Sequence, residues 1–118
     1  MTNSRRKGAT YERQVEQWIE ATMDRVTRTN RSGFDGDDFD IAGIVSLEVK
    51  NCARLELASW LAQAEANSGP DRVPAVLHKC RGKADVGDHY LTMRARDFAA
   101  LWLLIRSDVL ADILRGQA

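Results

Sequence analysis

The sequence predicts an α/β fold: a mixed sheet of about four or five strands flanked by helices. Three observations lead there. Apolar residues recur with helical period at both ends of the chain and once in its middle. Short β-branched runs lie between those stretches. Glycine, proline and acidic residues mark the boundaries. In order, the elements read α-β-β-α-β-β-α-α. With 118 residues the chain holds one domain and not two. Residues 1–7 are polar and basic and are expected to form a flexible arm, and 8–118 the single domain.

The first helix is expected from about Ala9 to Val26, because Tyr11, Val15, Trp18, Ile19, Thr22 and Val26 form one stripe. Residues 29–38 carry two glycines and three aspartates and read as a polar loop. Phe39–Ala42 and Ile44–Lys50 are predicted strands joined as a hairpin around Ala42 and Gly43. A second helix spans Leu57–Asn67, with Leu57, Trp60, Leu61 and Ala64 inward, and is stopped by Gly69 and Pro70. Strands are expected at Ala75–Cys80, with Pro74 at its start, and at His89–Met93. The last segment reads as a helix from Arg94 or Arg96 through Ile105. A short helix, Asp108–Leu114, would follow, capped by Ser107 and ended by Gly116.

Composition narrows the function. Seventeen basic and seventeen acidic side chains cancel, which argues against a protein that coats nucleic acid by bulk charge. The distribution is uneven: residues 32–48 hold five acidic side chains and no basic one, between two net-basic flanks. The longest apolar run, Phe98–Ile105, has eight residues against the roughly 20 that span a bilayer. No apolar segment follows the basic N-terminus, so a cytoplasmic protein is expected. Cys52 and Cys80 are expected to be small buried thiols, since nothing points to an oxidising compartment. His78, Cys80 and His89 match no common zinc spacing.

Chemistry concentrates in the acidic segment. In the strand ending at Lys50, Leu47 and Val49 face the core while Ser46, Glu48 and Lys50 face the other way. The hairpin brings Asp40 toward Glu48. Converging carboxylates repel, and a hard divalent cation such as magnesium, with manganese as substitute, relieves the repulsion. Lys50 beside it can deprotonate or position a water, or stabilise charge on a phosphate. Glu12 lies about 20° from Ile19 around the first helix, at the edge of its apolar stripe. There it needs a partner: a basic residue on another element, or a metal as outer-shell or second-ion ligand.

Asp40, seven residues beginning with Ile41, then Glu48-Val49-Lys50 resembles the signature of the PD-(D/E)XK nuclease superfamily. Lys7-Gly8 before Glu12-Arg13, and Arg31-Ser32-Gly33 before the aspartate, resemble the archaeal-type Holliday junction resolvases and their phage-encoded relatives. The resemblance covers roughly residues 5–80. It implies a restriction-endonuclease-like core and a single nuclease domain. Asp40, Glu48 and the Val49 carbonyl would be magnesium ligands, with Lys50 as catalytic lysine and Glu12 as helix carboxylate. Ser32 would lie near the scissile phosphate. Phe39 stands where the signature often has proline, and Asp37 and Asp38 are rivals to Asp40. Asp40 is preferred because Ile41 and Ala42 continue it as a strand.

Arg5, Arg6 and Lys7, together with Arg31, Gln63, Lys79, Arg81 and Lys83, are the candidate DNA contacts. Such contacts to phosphate position a duplex without reading its sequence. The apolar residues from Phe98 to Leu114 exceed what one small core needs and suggest a homodimer. The implied activity is magnesium-dependent, structure-selective cleavage of branched DNA, as in recombination and repair, with no nucleotide cofactor. The same chemistry on flapped, nicked or linear DNA is the nearest alternative. A non-catalytic DNA-binding module on a nuclease fold is the alternative of a different class.

Overall fold

The computed structural model describes residues 3–29 and 38–116. Helix α1 (Asn3–Thr22) is followed by strands β1 (Val26–Arg28), β2 (Phe39–Ile41) and β3 (Val45–Lys50). Helix α2 (Leu57–Ser68), strand β4 (Val73–His78), a single 3₁₀ turn at Val86–Asp88, strand β5 (Tyr90–Thr92) and helix α3 (Ala95–Gly116) complete the chain. The five strands form one mixed sheet in the order β1-β2-β3-β4-β5. Only β3 and β4 are parallel, joined by α2 as a crossover; the other neighbours are antiparallel.

Helices cover both faces. Tyr11, Val15 and Ile19 of α1 pack on Phe39, Leu47, Val49, Ala75 and Leu77. On the opposite face Trp60 and Ala64 of α2 pack on Val76. All six residues of β4 are buried, as expected of a parallel strand with both faces covered. Pro74 fits inside it. The Val73 N–H donates to the Ile44 carbonyl, so the next backbone nitrogen points toward β5, whose pairing reaches back only to Val76. The β2–β3 turn has Ala42 at φ 55° and Gly43 at φ 71°, the left-handed pair that a primed hairpin turn requires.

Several boundaries differ from expectation. Helix α1 starts at Asn3 rather than Ala9, taking in backbone expected to be a loose arm. A single Gly8 costs only about 1 kcal/mol in a helix otherwise rich in good formers. The same helix stops at Thr22: the chain reverses at Arg25, with φ 57°, and Val26 and Thr27 pair with β2. Val26 fits the helical stripe and the strand equally well, and tertiary pairing decides. The expected final pair of helices is one continuous α3, since Ser107 brings no glycine or proline to break it. The order is therefore α-β-β-β-α-β-β-α.

The cysteines correct another expectation. Cys52 is exposed and Cys80 half-buried, both as free thiols. Each lies just beyond the end of a strand, where the chain leaves the sheet. Among the described residues, no helix is long and apolar enough to cross a membrane.

Candidate functional site

The parallel pairing sets the location of the site. The strands β3 and β4 end together, with Lys50 in register with His78 and the Lys79 N–H donating to the Lys50 carbonyl at 3.0 Å. In open α/β sheets, ligands gather beyond the carboxyl ends of such strands. Here that end carries Glu48, Lys50 and Lys79.

Alternation along β3 is as expected: Leu47 and Val49 join the α1-side core, and Glu48 and Lys50 meet α2. Glu48 is only 3% exposed. Its Oε1 accepts from Asn67 Nδ2 at 2.6 Å. One helical turn earlier, Gln63 Oε1 accepts from Lys50 Nζ at 2.7 Å. Thus α2 presents two amides, four residues apart, to the Glu-x-Lys pair, and Gln63, named from the sequence as a candidate DNA contact, is placed against Lys50.

The two aspartates lie in different surroundings, Asp40 within β2 and Asp38 just before it. Asp40 lies opposite Ser46, and its carboxylate is held twice. Arg72 Nη1 donates to Oδ1 at 2.9 Å, and the Gly43 N–H donates to Oδ2 at 3.0 Å. Arg72 also donates to the carbonyls of Asn67 and Ser68, so Asp40 anchors the hairpin turn to the end of α2. Asp38 is buried at the start of β2, and its Oδ2 accepts from the Val49 N–H at 2.7 Å. Burial above all pushes its carboxyl up to about 7. The Val49 N–H opposes that rise, Glu48 and Glu12 add to it, and Lys50 opposes it. Asp38 therefore shares the electrostatic environment of Glu12, Glu48 and Lys50.

Glu12 finds the basic partner its position demands, on a strand the sequence concealed. Arg28 of β1 reaches Glu12 Oε2 at 3.3 Å and Glu16 Oε1 at 3.5 Å. All three groups are about three-quarters buried, so the pairs are less screened than surface pairs. Arg28 was not among the expected site residues. The β-branched Val26-Thr27 beside it is the one local signal for that strand.

Among the described residues, no three His, Cys, Asp or Glu side chains are gathered into a cluster ready to hold an ion. Magnesium does not demand one, since it usually takes one or two carboxylates and fills its shell with water and phosphate. Asp38 and Glu48, both buried and electrostatically coupled, suit that requirement: a dication would offset the cost that burial and mutual repulsion place on their charges.

The candidate DNA contacts fall into three groups. Lys79, Arg81 and Lys83 are exposed beyond the carboxyl end of β4, and Lys79 Nζ lies 5.9 Å from the Tyr11 ring centre. Lys7 is exposed on α1. The side chains of Arg5 and Arg6, and all of Arg31, Ser32 and Asp37, lie outside the described residues.

A second polar set braces this end. The His89 Nε2–H donates to the Lys83 carbonyl at 2.8 Å, which leaves Nδ1 to accept from the buried Tyr11 hydroxyl at 2.7 Å. Burial raises the Tyr11 phenol, so it stays a donor. Through this pair α1 holds the basic turn in place. Comparison of the chain with family models, curated proteins and solved structures finds no match.

Proposed function

We propose that this protein is a metal-dependent endonuclease acting on branched DNA, in the manner of a Holliday junction resolvase. The observation that carries the reading is a buried acid pair, Asp38 and Glu48, beside Lys50 at the carboxyl ends of the two parallel strands, with exposed cations adjoining.

Asp38 and Glu48 would hold magnesium or manganese, together with the Val49 carbonyl. Asp40, one same-face step from Asp38, is the alternative carboxylate and must first release Arg72. The bound ion would polarise a phosphodiester and acidify a water. The residues of the chain do the rest. Gln63 aims the Lys50 ammonium from α2, where it can balance charge growing on a phosphate or take part in proton transfer. Asn67 orients the Glu48 carboxylate. Glu12, held on α1 by Arg28, adds negative potential at Asp38. Lys79, Arg81 and Lys83 supply phosphate contacts that orient DNA without reading bases.

A homodimer belongs to the same reading. Phe98, Trp102, Leu103 and Leu104 of α3 are each at least half exposed, and this much exposed apolar surface on one helix supports an interface. Two copies would present two sites to opposed strands.

The test is magnesium-dependent cleavage of a panel of shared sequence: a four-way junction, a flap, a nicked duplex, and linear single- and double-stranded DNA. Glu48→Gln serves as blank. Paired nicks near the branch point, absent in the blank, are expected. Equal cutting of every substrate would move the protein to a general nuclease. Tight binding without cleavage, in either metal, would favour the binding-module alternative.

A further inference from the structure

Beside the candidate site lies an open cleft of about 590 Å³ that the proposed chemistry does not use. Its aromatic lining is His78 and Tyr90. The buried His78 meets Tyr90 edge-on at 5.9 Å and is backed by Trp60, outside the cleft, with ring centres 5.6 Å apart. Tyr90, the outermost of the three, is 59% exposed. The exposed Leu55 and Leu91 form further apolar wall, and Lys79 and Arg81 stand at the rim. No acidic side chain is among the described residues that line it.

The part of the cleft lined by His78 and Tyr90 shares one face of the sheet with the site, while His89 and Leu91 line it from the other side of β5. Lys50, His78 and Tyr90 are register partners on three adjacent strands, so their side chains form a single row. At about 5 Å per strand, Tyr90 stands roughly 10 Å from Lys50. A nucleotide next to one bound at Lys50 is within reach of that distance. An exposed ring backed by buried rings is a rigid stacking surface, and cations beside such a surface suit the phosphates of a strand whose bases are unpaired. Burial lowers the basicity of His78, and its Nε2 shares a hydrogen bond with Thr92 Oγ1 at 2.7 Å. It therefore serves as neutral floor and leaves the charge to the rim.

We propose that this cleft receives an unpaired nucleotide of the DNA substrate, with its base stacked on Tyr90 and its phosphate met by Lys79 and Arg81. The proposal rests on the nuclease reading for the identity of the polymer, and deepens it. It gives selectivity for branched DNA a physical source, since bases come unstacked at a branch and not within a duplex.

The test is fluorescence anisotropy of labelled oligothymidylate, and of a duplex of equal length, with divalent metal chelated. Wild type is compared with Tyr90→Phe, Tyr90→Ala and Tyr90→Leu. Tyr90→Phe should bind oligothymidylate as wild type does. Tyr90→Ala and Tyr90→Leu should bind it roughly tenfold more weakly, the scale of one lost base-on-ring contact, with duplex affinity changed less than twofold. Unchanged affinity in Tyr90→Ala overturns the proposal. So does equal weakening for the duplex, which would mark a general phosphate surface. Full binding by Tyr90→Leu would show a merely apolar cleft and overturn it as well. Failure here is distinct from failure of the nuclease reading. A chain that cuts DNA but ignores Tyr90 loses only this cleft, and a chain that binds oligothymidylate through Tyr90 yet cuts nothing loses only the nuclease.

Discussion

Asp38 holds its proton to about pH 7 because burial next to Glu48 and Glu12 disfavours the charge. A carboxyl whose pKa rises on folding, here from 3.8, gives stability that is complete below about pH 4 and lost as pH climbs through about 7. Without metal, the chain should therefore melt at lower temperature at pH 8 than at pH 5.5. Asp38→Asn, which keeps an acceptor for the Val49 N–H, should flatten that slope. Magnesium or manganese competes with the same proton. The metal-induced rise in Tm should be larger at pH 8 than at pH 6 in wild type and absent in Asp38→Asn; a rise of equal size at both pH values would argue against Asp38 as ligand. Asp40 acts differently. Asp40→Asn weakens the partly buried pair with Arg72 and should cost about 1 kcal/mol in urea denaturation, with the metal response retained. At this scale, the sequence made the faces of Glu12, Glu48 and Lys50 legible, because helical and strand periods assign faces without knowledge of the fold. The partner of Asp40 was not legible. It depends on where Arg72, thirty-two residues beyond Asp40, places its guanidinium.

The elements were legible where the period was long and the punctuation clear, as in α2 with its Gly69-Pro70 stop and β3 with its alternating end. Strand β1 was hidden because its first residue, Val26, continues the stripe of α1, and only pairing with β2 distinguishes the two. The arm was misjudged because Gly8 looks like a helix start, yet the helix runs through it. The β2–β3 turn carries a local strain. Ala42 sits at φ 55°, where a Cβ is unfavourable, and it is exposed with no side-chain role in the core. Ala42→Gly should therefore gain about 0.5–1 kcal/mol in chemical denaturation, in contrast to the loss usual for glycine in regular structure. An unchanged or lower midpoint would mean that the turn relaxes by other means.

Across the whole molecule, the sheet is small and α3 is long. Strands of three to six residues support a 22-residue helix, which at 1.5 Å per residue is about 33 Å long. The principal extents, 56 × 28 × 26 Å, reflect that imbalance. The N-terminal end of α3 is pinned, with Arg94 and Arg96 both meeting Glu65 of α2. Beyond it α3 leaves large apolar side chains exposed, and the sequence had signalled this excess through its run from Phe98 to Ile105. If α3 joins two copies, Trp102→Glu should convert the protein from dimer to monomer in sedimentation equilibrium, with little change in its circular dichroism. A monomer in both wild type and variant would remove the dimer from the account.

The claim that a buried acid pair at the ends of the parallel strands does metal-dependent chemistry on DNA is tested most directly by one assay. It measures the initial rate of four-way junction cleavage in magnesium at pH 8 for folded wild type, Glu48→Gln, Asp38→Asn and Asp40→Asn. The account predicts that wild type and Asp40→Asn cut at rates within about tenfold of each other, while Glu48→Gln and Asp38→Asn fall by at least about a hundredfold, the scale on which removing one electrostatic contributor slows an enzyme. Undiminished cutting by Asp38→Asn, or no cutting by the folded wild type, would contradict it.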